Sequence, residues 1–158
     1  MSNFEYQFLV NAPLERVWQF HDDPAALTKV MTFPVKAVVH AVDRPVQPGS
    51  KVRMTFWFGP LPVKWNVVVR ERIPPHMFRD EQPAGEGPFA RWNHRHQFES
   101  VNINGGQCTR VIDRIDYEPP FGGLGKLLDK VFGALAMRLM FVGRERATRR
   151  FLENKSES

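Results

Sequence analysis

The sequence has little of what several classes of protein require. A single cysteine, Cys108, among 158 residues excludes an intramolecular disulfide and a metal site built from several thiolates. Apolar runs fall far short of the roughly eighteen residues that span a bilayer, so no transmembrane segment is expected. The first ten residues carry Glu5 and no basic start, which argues against a signal peptide. A cytoplasmic location is therefore the expectation.

Nucleic-acid and phosphate-binding motifs are also missing. The net charge of +5 has a local source in Arg144, Arg146, Arg149 and Arg150, which crowd the last turns of the final helix and complement its dipole. A solvated basic helix end is therefore favoured over an anionic partner, and no nucleic-acid motif accompanies it. The glycines at 122–125 lack the Lys-Ser/Thr ending of a phosphate loop. We expect no nucleic-acid partner, no cofactor and no metal.

What the sequence does contain is period-two alternation of apolar residues over most of its length, typical of strands with one buried face. The composition, 42% apolar and 25% charged, is that of one globular domain, predicted over 1–153 with a disordered tail at 154–158. Strands are predicted at 4–10, 35–42, 52–58, 63–73, 77–82, 91–101 and 108–117. Two short helices are expected between the first two strands. Strands joined by short turns pair antiparallel.

The last third of the chain predicts one long helix over 121–152, about 45 Å at 1.5 Å per residue. Its apolar residues recur at three- and four-residue steps and define the face expected to pack on the sheet. They are Leu124, Leu128, Val131, Leu135, Leu139 and Val142. The fold class is therefore α+β, a curved antiparallel sheet of about seven strands wrapped around a C-terminal helix. Met137, Met140 and Phe141 fall on the opposite side and suggest a homodimer through that outer face.

Alternation also predicts which polar side chains point inward. Trp92, His94, His96 and Phe98 share one side of the sixth strand, and neighbouring strands add Asp80, Asp113 and Tyr117. The residues predicted to surround a site between sheet and helix are Phe56, Trp65, Asp80, Trp92, His94, His96, Asp113, Tyr117, Leu135 and Arg138. The other histidines, His21, His40 and His76, lie at element ends and are expected to be solvated. Trp18 and Trp57 are expected to be packing residues.

Four hypotheses explain the inward histidines and carboxylates. They are a structural polar network with every hydrogen bond satisfied, a ligand pocket with a few orienting polar groups, acid/base catalysis by His94 or His96 with Asp113 as orienter, and a metal held by the two histidines with Asp80 or Asp113 as third ligand. Two histidines two apart on a strand point the same way, but one such pair is a weak metal signal. The residues alone leave the four open.

Several strings resemble the START-like helix-grip superfamily of polyketide cyclases, aromatases and lipid-transfer proteins, in particular a bacterial ligand-binding branch. They are 11–18, 59–65, 87–98, 113–117 and 120–122, and the resemblance covers essentially the whole chain. It implies a small hydrophobic or amphipathic ligand (lipid-, polyketide- or quinone-like) in a cavity between the sheet and the C-terminal helix. The alternative it implies is a cyclase or dehydratase using His94 or His96. Because a shared fold does not confer function, whether the protein is an enzyme stays open.

Overall fold

The structure, a computed structural model, describes residues 1–31 and 35–153, so the predicted tail at 154–158 lies outside the described residues. Within them the strands are, in chain order, β1 (Ser2–Val10), β2 (Val35–Val42), β3 (Lys51–Phe58), β4 (Leu61–Ile73), β5 (Met77–Glu81), β6 (Arg91–Ile103) and β7 (Gly106–Glu118). The helices are α1 (Leu14–Asp22), α2 (Leu27–Val30), α3 (Gly122–Leu128) and α4 (Ala134–Glu153). A 3-10 turn (Pro24–Ala26) precedes α2, and a π-helical segment (Asp129–Gly133) joins α3 to α4.

The described strands form an antiparallel sheet in the order β1-β7-β6-β5-β4-β3-β2. The predicted pairing of sequential strands is confirmed, and β1 adds to the free edge of β7. The longest hairpin, β6–β7, turns at Asn104 and Gly105, whose φ angles are 52° and 81°. Positive φ at both central residues is what a two-residue hairpin turn needs, and asparagine followed by glycine supplies it at low steric cost. The turn fixes the register of β6 against β7, and with it the position of every inward side chain on both strands.

The buried face of the sheet carries two apolar clusters. One surrounds Trp65 and Trp92 and includes Phe141 of α4. The other joins α1 to the sheet, where Trp18 makes edge contacts with Phe98 at 5.8 Å between ring centroids. Trp18 is therefore a packing residue as predicted, but Trp57 is 38% exposed. The two clusters flank the polar residues of β5, β6 and β7.

The C-terminal helix starts where predicted but packs through a different face. Leu124, Val131, Leu135 and Leu139 are exposed, Val142 is half-buried, and the side chain of Leu128 lies outside what the structure describes. The buried face of α4 consists of Met137, Phe141, Arg144, Ala147, Thr148 and Leu152. The predicted inward stripe is therefore wrong, and so is the predicted dimer surface, because Phe141 is 2% exposed and Met137 is 6% exposed.

The reason for this orientation is that the buried face carries the contacts that the sheet requires. The Phe141 ring packs against Phe4, Tyr6 and His94, with centroid distances between 5.5 and 6.0 Å. Arg144 supplies a cation to a buried carboxylate of β7. In the described residues, no helix is both long enough and apolar enough to cross a bilayer.

Candidate functional site

A cavity of about 140 Å³ lies between the sheet and the helices. Apolar side chains of β3, β4, α2 and α4 make most of its wall. Six of the predicted site residues line it: Phe56, Trp65, Asp80, Trp92, His94 and His96. The wall is completed by residues that include Phe20 and His21 of α1 and Met140, Phe141 and Arg144 of α4. The predicted void between sheet and helix is therefore present.

Strand register brings the polar residues of the wall together. On β6, alternation points His94 and His96 inward with Trp92, as predicted, and both imidazoles are 6% exposed. His94 pairs with Asp80 on β5, and His96 pairs with Asp113 on β7. The hydrogen bonds run diagonally: His94 Nε2 lies 2.9 Å from Asp113 Oδ1, and His96 Nε2 lies 3.1 Å from Asp80 Oδ2. Two histidines on one strand thus bridge the carboxylates of its two neighbours.

Asp113 is the centre of this group and is fully buried. Its Oδ1 accepts from His94 and also lies 2.9 Å from His96 Nδ1 and 3.1 Å from Arg144 Nη1. Arg144 Nη2 is 3.3 Å from the same His96 nitrogen. His96 Nδ1 can donate to Asp113 or accept from Arg144, one at a time, according to its tautomer. The ring of Phe78 stacks on His96 at 4.1 Å and covers it.

The guanidinium of Arg144 keeps Asp113 ionised and so determines the charge state of the cluster. Burial by itself raises the pKa of the Asp113 carboxyl, but Arg144 and the two histidines outweigh it and hold that pKa well below its ordinary value. His94 behaves in the opposite way. Burial, together with repulsion from His96, lowers its pKa to about 4 in spite of the hydrogen bond to Asp113. At neutral pH the cluster therefore contains an ionised Asp113–Arg144 pair and an uncharged His94.

The last turn of α1 adds a histidine that sequence reasoning placed in solvent. His21 Nδ1 donates to the carbonyl of Val17 at 2.9 Å, and its ring packs against Phe98. Burial, and next the charge of Arg144, lower the pKa of His21 to about 3. A neutral ring that donates from Nδ1 leaves Nε2 as an acceptor, and that atom is buried with no partner among the described residues. His21 is therefore an unsatisfied acceptor in the cavity wall, whereas His40 and His76 are exposed as predicted.

Two further cavity-lining residues hold buried polar atoms with no partner in the described part of the chain, Trp65 Nε1 and Arg144 Nε. Both are N–H donors. Buried polar groups in native proteins almost always have a partner, so an unpartnered one next to a cavity is a position where a ligand or water can bind. Together with His21 Nε2, the wall offers one acceptor and two donors.

Not every predicted site residue reaches the cavity. Asp113 lies beneath His94 and holds it without lining the void. Tyr117 is buried and donates its hydroxyl to Asp129 of the π segment at 2.7 Å, and burial with that bond raises its pKa to about 12. Leu135 is 58% exposed and Arg138 is also exposed, so the expectation that they face the sheet is wrong. The role of Tyr117 is to attach β7 to the helix.

The residues that sequence reasoning missed are Arg144 and His21. Arg144 had been assigned to the solvated end of the helix, but its side chain is 8% exposed. A signal for it was available: an inward carboxylate on β7 needs a cation, and Arg144 follows Met137 and Phe141 at helical spacing. No comparable signal marks His21, because its burial depends on where α1 crosses β6.

Asp80 is close enough to His94 and His96 to act as a third metal ligand, but the surroundings do not favour a metal ion. Donor atoms of Asp80, His94 and His96 lie within 4.8 Å of one another. Each histidine Nε2 already bonds a carboxylate, and the Arg144 guanidinium contacts His96. A divalent cation would have to displace those bonds and bind beside another cation, which Coulomb repulsion opposes. The group is better suited to a polar network than to metal binding.

Comparisons with known proteins agree with the geometry. Residues 10–140 match the model of a family described as polyketide cyclase / dehydrase and lipid transport. Among solved structures, a protein from Thermus thermophilus is similar with a TM-score of 0.73 and 20% identity, covering 99% of this chain and 100% of the other. The Zhui aromatase/cyclase from Streptomyces sp. R1128 has a TM-score of 0.66 and 14% identity, with 95% of each chain covered. No curated protein matches this sequence significantly. At these identities the structural likeness shows the fold.

Proposed function

The chain belongs to the polyketide cyclase/dehydrase and lipid transport family, and we propose that it binds a small, uncharged, mostly apolar molecule in the cavity between sheet and helix. The observation that carries this proposal is the cavity itself. It is lined mainly by apolar and aromatic side chains, and the residues that line it include unpartnered buried polar atoms. Apolar walls with a few convergent polar groups are the usual form of a small-molecule site.

The size of the cavity limits the ligand. A void of about 140 Å³ is close to the cavities of roughly 150 Å³ that accept one benzene ring in other proteins. A single ring with small substituents fits this volume, and a fused multi-ring molecule would extend beyond it. The ligand supported by the geometry is therefore the ring-sized member of the lipid-, polyketide- or quinone-like class.

The charges of the wall favour a neutral molecule. Asp113 and Arg144 form an ion pair, and His21 and His94 are uncharged at neutral pH because of their lowered pKa values. An anionic ligand would lose its hydration and meet the carboxylate of Asp80 in the wall, while the cation of Arg144 is already paired with Asp113, which is costly in a buried site. A hydroxyl group, by contrast, can donate to His21 Nε2, and a carbonyl oxygen can accept from Trp65 Nε1.

Calorimetric titration with three methyl-substituted benzene rings tests this proposal: toluene, p-cresol with a para hydroxyl, and p-toluate with a para carboxylate. We expect p-cresol to bind about 2–10-fold more tightly than toluene, the usual net gain from one hydrogen bond, and p-toluate not to bind. His21→Phe should remove the preference for p-cresol. Val67→Phe, which places a ring in the cavity, is the control that should abolish all binding while the protein stays folded. Tightest binding by p-toluate, or equal binding to the Val67→Phe variant, would contradict the proposal.

A second candidate function has one specific observation in its favour. His94 donates to the ionised Asp113 at 2.9 Å, and its other nitrogen makes no hydrogen bond to a described residue. This is the arrangement of an oriented general base. Two facts weaken it: a pKa of about 4 makes His94 a weak base, and Asp113 is already neutralised by Arg144. Binding is therefore the better-supported function, and cyclase or dehydratase chemistry is the alternative.

The substitution His94→Gln distinguishes ligand binding from catalysis. If the protein is a binder, the variant should weaken p-cresol binding by up to about tenfold, or leave it unchanged where the ligand contacts only His21. If His94 is a catalytic base, the variant should abolish turnover of a cyclisable poly-β-ketone substrate while binding persists. Turnover by the parent protein that disappears in this variant would decide for the enzyme.

A further inference from the structure

The C-terminal helical segment, which runs from Phe121 through α3 and the π segment into α4, exposes six large apolar side chains on its outer surface. They are Phe121, Leu124, Leu127, Val131, Leu135 and Leu139, each between 58% and 84% exposed. Single exposed apolar residues are ordinary, but a contiguous group marks an interaction surface. Because residues four apart adjoin on the surface of an α-helix, Leu135 and Leu139 of α4 form a ridge. Val131 precedes them in the π segment.

A second exposed apolar group lies at the same end of the sheet. The turn between β3 and β4 exposes Trp57, Phe58 and Leu61, by 38%, 41% and 61%. In the sheet order, β3, β5 and β7 alternate with β4 and β6, so these three strands run in the same direction. The end of β3 therefore lies at the edge from which β7 leads into α3. We call the six helix residues and these three turn residues the apolar end.

The exposed charges on the helical part of the apolar end are basic. Between residues 121 and 139, the charged side chains described as exposed are Lys126, Lys130 and Arg138, and of these Lys126 pairs with Glu118 at the end of β7 at 3.3 Å. The acid of this stretch, Asp129, is turned inward and accepts from Ser2 and Tyr117. Lys64 adds an exposed cation close to the β3–β4 turn. Apolar ridges flanked by lysine and arginine are the composition of helices that lie in a membrane interface.

We propose that the apolar end docks on the surface of an anionic bilayer. The leucines and aromatic rings would enter the headgroup and acyl-chain boundary, while the long basic side chains extend to lipid phosphates. A second copy of the chain is a poorer occupant. A twofold interface would bring Lys130 and Arg138 of both copies together, with no exposed carboxylate on that described part of the helix to pair with them. A bilayer containing acidic lipids supplies the missing negative charge.

This proposal does not depend on the cavity. Leu135 and Leu139 are on the face of α4 opposite Phe141 and Arg144, which line the cavity, and none of the nine residues of the apolar end lines it. Vesicle binding and ring binding can therefore succeed or fail separately. If the protein binds vesicles but none of the ring compounds, the docking proposal stands and the ligand proposal fails. If it binds a ring compound but no vesicles, the ligand proposal stands and the docking proposal fails.

Co-sedimentation with unilamellar vesicles tests the proposal, using phosphatidylcholine alone and phosphatidylcholine mixed with phosphatidylglycerol. We expect binding to the anionic vesicles that weakens at high salt. The double variant Leu135→Ser/Leu139→Ser should lower the partition coefficient by about tenfold or more. Lys130→Gln/Arg138→Gln should lower it by about fivefold for each charge removed.

The matched control is Ile73→Ser/Lys51→Gln, which removes one exposed apolar residue and one exposed cation from the opposite end of the sheet. It should sediment like the parent. Circular dichroism of all variants should be unchanged, since the altered side chains are exposed. Absence of binding to anionic vesicles at low salt would overturn the proposal. So would a stable dimer in solution that dissociates on Leu135→Ser/Leu139→Ser, because the ridge would then be covered by a second copy.

Discussion

The two faces of α4 differ in a way that their hydrophobicity does not predict. The outer face carries Leu135 and Leu139, which are 58% and 65% exposed. The inner face carries a methionine, a phenylalanine and a charged arginine, Arg144, which are all buried. The face with the charge is the one turned to the core. The difference shows that a helix is oriented by the whole set of partners that the sheet offers, and hydrophobicity is only one of them.

The partner that decides the orientation is Asp113. An ionised carboxylate with no exposure needs a cation and hydrogen bonds, and leaving one buried alone costs about 3–5 kcal/mol. Arg144 meets that need at 3.1 Å, and Phe141 fills the space between β1 and His94. Rotating the helix to bury Leu135 and Leu139 would remove both contacts. The inner face thus packs on the sheet and borders the cavity, and the outer face stays exposed.

The largest expected effect comes from removing the cation of the inner face. Arg144→Met should lower the free energy of unfolding by about 3–5 kcal/mol, because Asp113 then remains buried without its partner. The measurement is urea denaturation followed by circular dichroism. In a double-mutant cycle, Asp113→Leu/Arg144→Met should recover much of the loss, since neither charge is then left alone. A loss of under about 0.5 kcal/mol for Arg144→Met, the size of a surface effect, would show that the ion pair does not orient the helix.

A smaller loss of stability is expected when one apolar residue of similar size is truncated on each face of α4. Met137→Ala should lower the free energy of unfolding by about 2–5 kcal/mol, the cost of deleting a buried methionine side chain. Leu135→Ala, two residues earlier on the outer face, should change it by less than about 0.5 kcal/mol. Thermal and urea unfolding of the two variants measure the difference directly. Equal losses would mean that Leu135 is covered in solution.

How far the sequence predicted this architecture depends on the range of the interactions involved. Alternation on β6 placed His94 and His96 inward because neighbours on one strand must point to opposite sides. The Asn104-Gly105 turn fixed the register that brings His96 beside Asp113, again from local chemistry. The rotation of α4 was not predictable in the same way, since it depends on a pair separated by 31 residues, Asp113 and Arg144. The strongest apolar stripe of the helix is not its buried face, so the prediction that Leu135 and Arg138 face the sheet is wrong.

A pH-dependence follows from the histidines beneath the inner face. In the folded protein the pKa of His21 is about 3 and that of His94 about 4, against 6.5 for an ordinary histidine. Between about pH 6.5 and these two lowered pKa values, the unfolded chain therefore binds more protons than the folded protein does. Stability should be level above about pH 6.5 and should fall below it, by about 1.4 kcal/mol per pH unit for each histidine. Asp113, with its lowered pKa, adds to the loss only at more acid pH.

Urea denaturation over this pH range measures the slope of the free energy of unfolding against pH. Two variants show which histidine causes it. His21→Phe should reduce the slope between pH 6.5 and about pH 5 by roughly half, because one of the two buried neutral histidines is gone. His40→Phe, at an exposed position, should leave the slope unchanged. A slope that survives the loss of His21 in full would mean that this imidazole is protonated or exposed in solution.

The central claim, that the space under the inner face of α4 is a ligand site, is tested most directly by a crystal structure with 4-bromophenol. Anomalous scattering from bromine marks the position of the ring and distinguishes it from water. We expect one ring between the sheet and α4, with its hydroxyl oxygen within about 3 Å of His21 Nε2. A cavity filled by protein side chains, with bromine found only on the surface, would contradict it.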